Sequence, residues 1–592
     1  MLFTMKKLIR HSISYAVAAF AAFTTTGCLE EAFPEDGSFT EDQVKDVDKA
    51  ELAGAMTSYF LAGGESAWDI GYMTFMSWRD AMTADMPVND AAWDYYNYYN
   101  SQVSLGNSYN QGLWWDRSYY HINRANNTLN LCDTDPESED AYFRGYAYAL
   151  RGMLYFDLAR FFEYKHTDVE ALDRAADQRG IWGLTVPIIT ETTTEAESRV
   201  TPRAPFYQLY RFVNNDLQQA EVYLANYHSV SSKDNPTLGV AYGLHARFWL
   251  ELGSRFQRYP ADLEKQIESD ANQDLASLPS LGIRTANDCF RLAADYARKA
   301  INEGYSPVTE SQWYDKTSGF NTPNQSWMWA IIISPENWMA KDCTWKSWVS
   351  YHCPEATYGM SDNSEYQAYR CIDARLYGEM DPNDWRRDTW IDPEFASMDD
   401  GDEKREVFDS RFARVTTYNY ADFCGYNAYA GFKFRPGSGN GTTPTIGNAV
   451  SVPLMRVEEM YLIEAEALAY CEGPAAGKAA LESFMNAYRM KEGTTYSINS
   501  SILEDIINEI WIQKRVELWG EGQVWYDYKR RELAIERGYP GTNHPDLYRY
   551  NSYPDAVAPW CNIYIVDRVR DLNQTVILNP DPTKAIPTIW TE

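Results

Sequence analysis

From Val452 to Ala467 the chain reads VPLMRVEEMYLIEAEA, and this run restricts the possible folds more than any other stretch. Leu454, Val457, Tyr461, Ala465 and Leu468 follow one another at spacings of three, four, four and three, which puts them on one face of a helix. Met460, Ile463 and Ala467 make a second apolar row beside the first. A helix apolar over so wide an arc is covered by neighbours rather than laid on a surface, so Tyr461 and Leu462 are expected to be buried. Pro453 suits its first turn, where a missing N–H costs nothing. A partner helix is expected from Ile502, with Leu503, Ile507 and Ile510 inward and Gly520 with Gly522 at its end.

Other stretches carry the same period. Ala147, Leu150, Leu154, Leu158 and Phe161 step along one face, as do Phe206, Leu209, Val213, Leu217, Ala220 and Leu224. Ala241, Leu244, Phe248 and Leu252 follow, then Ala293, Ala297 and Ile301 before Gly304. Helix pairs with small residues at their contacts, returning every few tens of residues, suggest a tetratricopeptide-like solenoid. Between Ser306 and Ile446 the stripes thin out while Gly, Asn, Pro and Trp rise, so this excursion reads as loop-rich. Within it Trp327 and Trp329 alternate ahead of Ala330-Ile331-Ile332-Ile333, the pattern of a buried strand.

The N-terminus reads as a processing segment. Lys6, Lys7 and Arg10 precede a short apolar run from Ile13 to Phe23, too short to span a bilayer as a helix. Thr25-Thr26-Gly27-Cys28 then resembles a bacterial lipobox, in which Cys28 takes the diacylglycerol and palmitate. Residues 1–27 are thus expected to be a lipoprotein signal peptide and 28–45 a lipidated tether. Leu29-Glu30-Glu31 directly after the cysteine resembles the acidic signal that sends such lipoproteins to the outer face of the outer membrane. No later segment approaches 18 consecutive apolar residues, so the lipid is the expected anchor.

A formal net charge of −31 argues against nucleic acid and against a polybasic membrane contact, both of which need clustered Lys and Arg. The 44 Tyr and 20 Trp supply flat faces with polar handles, suited to uncharged polar ligands. The nine cysteines form no CxxC pair, which removes zinc and thioredoxin-like chemistry. If a bridge exists, Cys343 with Cys353 is the expected one. No HExxH, GxSxG or Walker A motif occurs, and no cofactor, metal site or catalytic site emerges. The acidic turn Asp399-Asp400-Gly401-Asp402-Glu403 lacks EF-hand spacing.

The Val452–Ala467 run and KRVELWGEGQVWYDYKR from Lys514 to Arg530 resemble the C-terminal hallmark of the SusD/RagB family, the surface glycan-binding lipoproteins. Gln523-Val524 departs from the family's frequent Arg before the Trp, and Tyr528 stands where Leu is usual. YALRGMLYFDLARFF from Tyr148 and the Leu113–Asn127 stretch resemble further family segments, so matches in family order run over 28–308 and 446–530. The resemblance implies a mostly α, tetratricopeptide-like solenoid with an irregular loop-rich subdomain. It divides the chain into an N-terminal helical region, 46–305, and a C-terminal region, 306–592, containing the excursion 306–446. It also implies a non-catalytic function: capture of oligosaccharide at the cell surface and delivery to a SusC-like TonB-dependent transporter. A peptide-binding RagB-like lipoprotein is the alternative, and a surface glycoside hydrolase a further one.

Two aromatic clusters interleave rings with hydrogen-bonding groups. The first holds Trp68, Arg79, Asp85, Asn89, Trp93 and Tyr96, and the second holds Trp338, Trp345 and Trp348. A sugar ring lays its C–H face on an aromatic ring while its hydroxyls seek Asn, Asp and Arg. These nine residues are the expected glycan contacts, in keeping with the N-terminal and mid-chain loops that the family uses.

Overall fold

The computed structural model describes residues 54, 56–57, 60, 70–88, 105–229, 232–272, 277–317, 320–342, 348–356, 370–398, 401–413, 428–585 and 587–592. All of them belong to one compact unit, Lys49–Glu592. The unit is a succession of helices: α1 (Tyr72–Met82), α2 (Tyr109–Leu131), α3 (Ala141–Phe162), α4 (Phe206–Tyr223), α5 (Leu238–Arg258) and α6 (Ala286–Ile301), then α7 (Val457–Cys471), α8 (Pro474–Tyr488), α9 (Leu503–Glu517) and α10 (Val524–Arg531). Each helix from α2 to α9 packs on the next one in this order, which is the expected solenoid. The last helix folds back, so that α10 lies against both α5 and α1.

Local signals set the ends of these helices. Ser108 and Thr237 cap α2 and α5 by accepting from the backbone N–H groups of Gln111 and Val240. Thr285 and Asp288 form a reciprocal capping box at the start of α6. The striped positions then face neighbouring helices: Ala147, Leu150, Leu154, Leu217, Ala241, Leu244, Ala293 and Ala297 are all buried. Alanines at these contacts let the helix backbones approach closely. Leu462 is fully buried in a second cluster shared by α7, α8 and α9, with Leu481, Phe484, Ile506 and Ile510. Tyr461 is only half-buried, its ring stacked on Phe484 at 5.4 Å.

The beginning of the hallmark differs from its helical period. Val452–Arg456 is a strand, β2, and α7 starts only at Val457. It pairs antiparallel with β1, Trp327–Ile331, from Trp327 opposite Arg456 to Ile331 opposite Val452. All ten residues are buried, Trp327 and Trp329 among them, as the alternation predicts. Two causes override the helical spacing. Pro453 drives Val452 towards extended backbone, and β1 offers hydrogen bonds that an isolated first turn lacks. Cys353 is a buried free thiol, as are Cys289, Cys371 and Cys561, while its expected partner Cys343 lies outside the described residues. Among the described residues no helix is long and apolar enough to cross a membrane.

Candidate ligand-binding site

The strand-to-helix turn from β2 into α7 points Arg456 and Glu458 into the interior, where the end of α9 brings Glu517 and Glu521. Arg456 pairs with Glu517 at 3.0 Å, Glu521 at 2.7 Å and Glu458 at 2.9 Å. Arg489 from the end of α8 reaches Glu517 at 2.8 Å and Glu458 at 3.2 Å. Arg386 bridges Glu517 at 2.8 Å and Asp384 at 2.6 Å, and Lys433 meets Glu521 at 2.5 Å. Four cations thus face four carboxylates, so the buried charge closes on itself. Burial alone would raise the Glu517 carboxyl, yet Arg489, Arg456 and Arg386 hold it well below the ordinary carboxylate range. Burial lowers the Lys433 ammonium to about 8 in spite of Glu521 beside it. The polar letters of the hallmark are therefore structural.

The same turn clamps the N-terminal helix. Gly520 and Gly522 adopt φ of +75° and +69°, a left-handed path that exposes both backbone groups of Gly522 to α1. Arg79 Nε donates to Gly522 O at 2.6 Å, and Gly522 N donates to Asp80 Oδ2 at 2.8 Å. Beyond α1, Asp85 Oδ1 accepts from Arg515 Nε at 2.8 Å and from the Tyr528 hydroxyl at 3.0 Å. Its carbonyl accepts from Trp519 Nε1 at 3.0 Å. Arg79 is fully buried and Asp85 nearly so. These two expected glycan contacts face inward, because each finds a partner more than 400 residues away that sequence spacing does not reveal. Burial raises the Asp80 carboxyl to about 8, opposed by the Gly522 N–H, Arg79 and Lys433.

From this clamp the chain leaves in extended form and meets three other segments. Asp373 N donates to Asp85 O at 3.1 Å and Cys371 N to Pro87 O at 3.0 Å, with Val88 bridged to Arg370. Ile372 N donates to Tyr429 O at 3.0 Å, and Ile391 N to Ala430 O at 3.0 Å. Segments 85–88, 370–373, 428–430 and 389–391 therefore lie side by side in that order. Asn89, Trp93 and Tyr96 follow Val88 and lie outside the described residues, as do Trp68, Trp345 and Cys28. No motif announces the junction, since its members are three or four residues long and come from separate parts of the sequence.

Two candidate tryptophans are described, and they differ. Trp348 is 1% exposed, its ring stacked on His352 at 4.2 Å and set edge-on to Phe434. Trp348 belongs to the main apolar core, which reaches into the excursion, and fills it instead of facing a ligand. Trp338 is 37% exposed at the start of a short helix, Trp338–Asp342. That helix packs on the turn Pro444–Gly447, where Ile446 is exposed to a similar degree. Asn337, just before it, is held by the Ser334 backbone and hydroxyl.

A polar cleft of about 20 Å³ lies among α3, α5, α7, α9 and α10, lined by Arg160, Arg247, Glu251, Lys514, Asp527 and Arg530. Burial raises the Glu251 carboxyl, whereas Asp527, also buried, is held low by Lys514 at 2.9 Å and Arg530 at 2.7 Å. A carboxyl pair pushed apart in this way is the chemical signature of acid–base work. Here one member is locked between two cations, and the space, about 20 Å³, has room for a water but not for a small-molecule ligand. Among the described residues no three His, Cys, Asp or Glu side chains gather as a metal site.

Two family profiles match the chain. One described as the SusD family covers residues 293–586, and one described as starch-binding, associating with outer membrane, covers residues 52–250. Solved structures agree in fold. A SusD-like carbohydrate-binding protein from Bacteroides vulgatus ATCC 8482 superposes with a TM-score of 0.63 at 20% identity, over 92% of this chain and 99% of that one. A SusD superfamily protein from Bacteroides thetaiotaomicron VPI-5482 gives 0.59 at 18% identity, over 90% and 100%. A laminarin-binding SusD-like protein gives 0.56 at 17% identity, over 90% and 98%. No curated protein matches.

Proposed function

The chain belongs to the SusD/RagB family, and from that premise we propose that it captures oligosaccharide at the outer membrane without catalysis and hands it to a SusC-like TonB-dependent transporter. The observation that carries the reading is the pair of profiles, which together take in both the solenoid and the C-terminal region, one of them described as starch-binding and associating with the outer membrane. A relative of the same fold is described as laminarin-binding. In this reading Cys28 carries the lipid that holds the protein on the outer face of the membrane.

The junction supports a position for the ligand. Its extended segments are tied to α1 and to the ion-paired core, so residues that continue from it start on rigid ground. The proposed contacts are Asn89, Trp93 and Tyr96 beyond Val88, together with Trp68, Trp338 and Trp345. Trp338 is the described member with an exposed ring. Arg79, Asp85 and Trp348 hold the structure beneath.

The test is calorimetric titration of the intact protein with a panel of soluble glycans and of peptides, each mixture then chromatographed for shortened products. Binding of one glycan class with no new products is the expected result. Turnover would establish the hydrolase instead, and binding confined to peptides would establish the peptide-capturing alternative.

A further inference from the structure

Trp182 is displayed in a way that its turn does not require. It is 40% exposed, the second residue of the turn Ile181–Leu184, closed by Leu184 N donating to Ile181 O at 3.0 Å. Gly183, the third residue, has φ of +73°, a conformation open to glycine at little cost. The second position accepts most residues, and a polar one would avoid placing indole surface in water. The ring is nevertheless held. Its Nε1 donates to Asp177 Oδ1 at 2.6 Å, and the buried ring of Tyr164 meets it edge-on at 5.3 Å. Beneath the turn, Tyr164, Leu172, Ala176 and Ile181 form a small apolar cluster apart from the main core.

Polar groups stand beside the ring. The half-exposed imidazole of His166 lies 6.5 Å from the indole and directs Nδ1 to Asp173 Oδ2 at 2.9 Å. Its Nε2 is turned towards the exposed carboxylate of Asp168 at 3.8 Å, which is too long for a hydrogen bond. Asp168 itself sits at φ of +58°, an uncommon conformation for a residue with a side chain. An oriented aromatic surface flanked by an imidazole nitrogen and a carboxylate offers a stacking platform and both senses of hydrogen bond to hydroxyl groups.

We infer that the Trp182 turn is a second carbohydrate contact, which shares no residue with the junction and engages a glycan long enough to touch both. The inference rests on the carbohydrate-binding reading above. A single ring stacked on a sugar is a weak contact, but one chain engaged twice is held more tightly than either contact alone would hold it.

The test uses the intact protein and soluble laminarin, amylopectin and inulin on native affinity gels. The polymer that retards the wild type is carried forward together with its own hexasaccharide. Trp182→Ala is expected to weaken polymer binding about three- to tenfold, to leave hexasaccharide binding unchanged and to keep the melting temperature. Trp182→Phe is expected to restore part of the loss, and His166→Ala to reproduce part of it. Polymer binding unchanged in Trp182→Ala overturns the inference while the carbohydrate reading stands. Equal loss for polymer and hexasaccharide, or loss accompanied by a lower melting temperature, also overturns it. A wild type retarded by none of the polymers counts against the reading and the inference together.

Discussion

Glu517 is the hub of the buried ion network, and removing its charge tests the structural role given to the hallmark. Its two oxygens serve Arg386 at 2.8 Å, Arg456 at 3.0 Å and Arg489 at 2.8 Å, and its side chain is fully buried. In Glu517→Ala these guanidiniums lose a shared anion, but none is stranded. Arg386 keeps Asp384, Arg456 keeps Glu521 and Glu458, and Arg489 keeps Glu458. The cost therefore corresponds to one broken buried pair, about 3–5 kcal/mol, and not to three. Urea unfolding followed by tryptophan fluorescence measures it. The pH dependence gives a second check. The folded carboxyl lies below its ordinary 4.5, so its contribution is complete above that value and is lost as pH falls through the folded value. Glu517→Gln should start less stable at neutral pH and lose less on acidification below 4.5 than the wild type does. A cost under about 1 kcal/mol for Glu517→Ala, with an unchanged acid limb for Glu517→Gln, would refute the argument.

The tryptophans of the excursion should separate. Trp348→Ala should cost about 3–5 kcal/mol in urea unfolding by opening a cavity, whereas Trp338→Ala should leave the unfolding midpoint in place and weaken glycan binding about tenfold in calorimetry. The Asp80 carboxyl is raised from 3.8 to about 8 in the fold, so its neutral form is favoured there and stability is lost as pH rises between those values. Melting temperatures of Asp80→Asn should accordingly gain on the wild type across that interval, and a constant difference from pH 4 to 9 would contradict the assignment. Cys28→Ala should move the protein from the membrane fraction to the soluble fraction with its melting curve intact, as fractionation with palmitate labelling would report.

Helices were legible in the sequence because burial repeats along them at a fixed period. Ala147, Leu154, Ala241 and Ala293 point inward wherever their stripes placed them. The strand β2 was not legible, because five residues are too few to separate a period of two from one of 3.6, and β1 lies more than a hundred residues away. Polar residues were the hardest. Arg79 and Asp85 occur beside aromatics, as residues of a sugar site would, and nothing local shows that Gly522 and Arg515 will meet them. Trp348 presents the same difficulty, since a ring in loop-like sequence can fill an interior as well as line a surface. The hallmark pointed to the right family through its polar letters, yet those letters stabilise the scaffold. The junction became visible only once four distant segments were seen to exchange hydrogen bonds.

The central claim is capture without conversion, at aromatic residues carried beyond Val88. It is tested most directly by titrating the wild type and Trp93→Ala with the cognate glycan in a calorimeter, with each mixture chromatographed afterwards. The account predicts saturable binding by the wild type, about tenfold or more weaker binding by Trp93→Ala, unchanged melting temperatures and glycan recovered at its original length. Shortened glycan, or equal affinity in the two proteins, would contradict it.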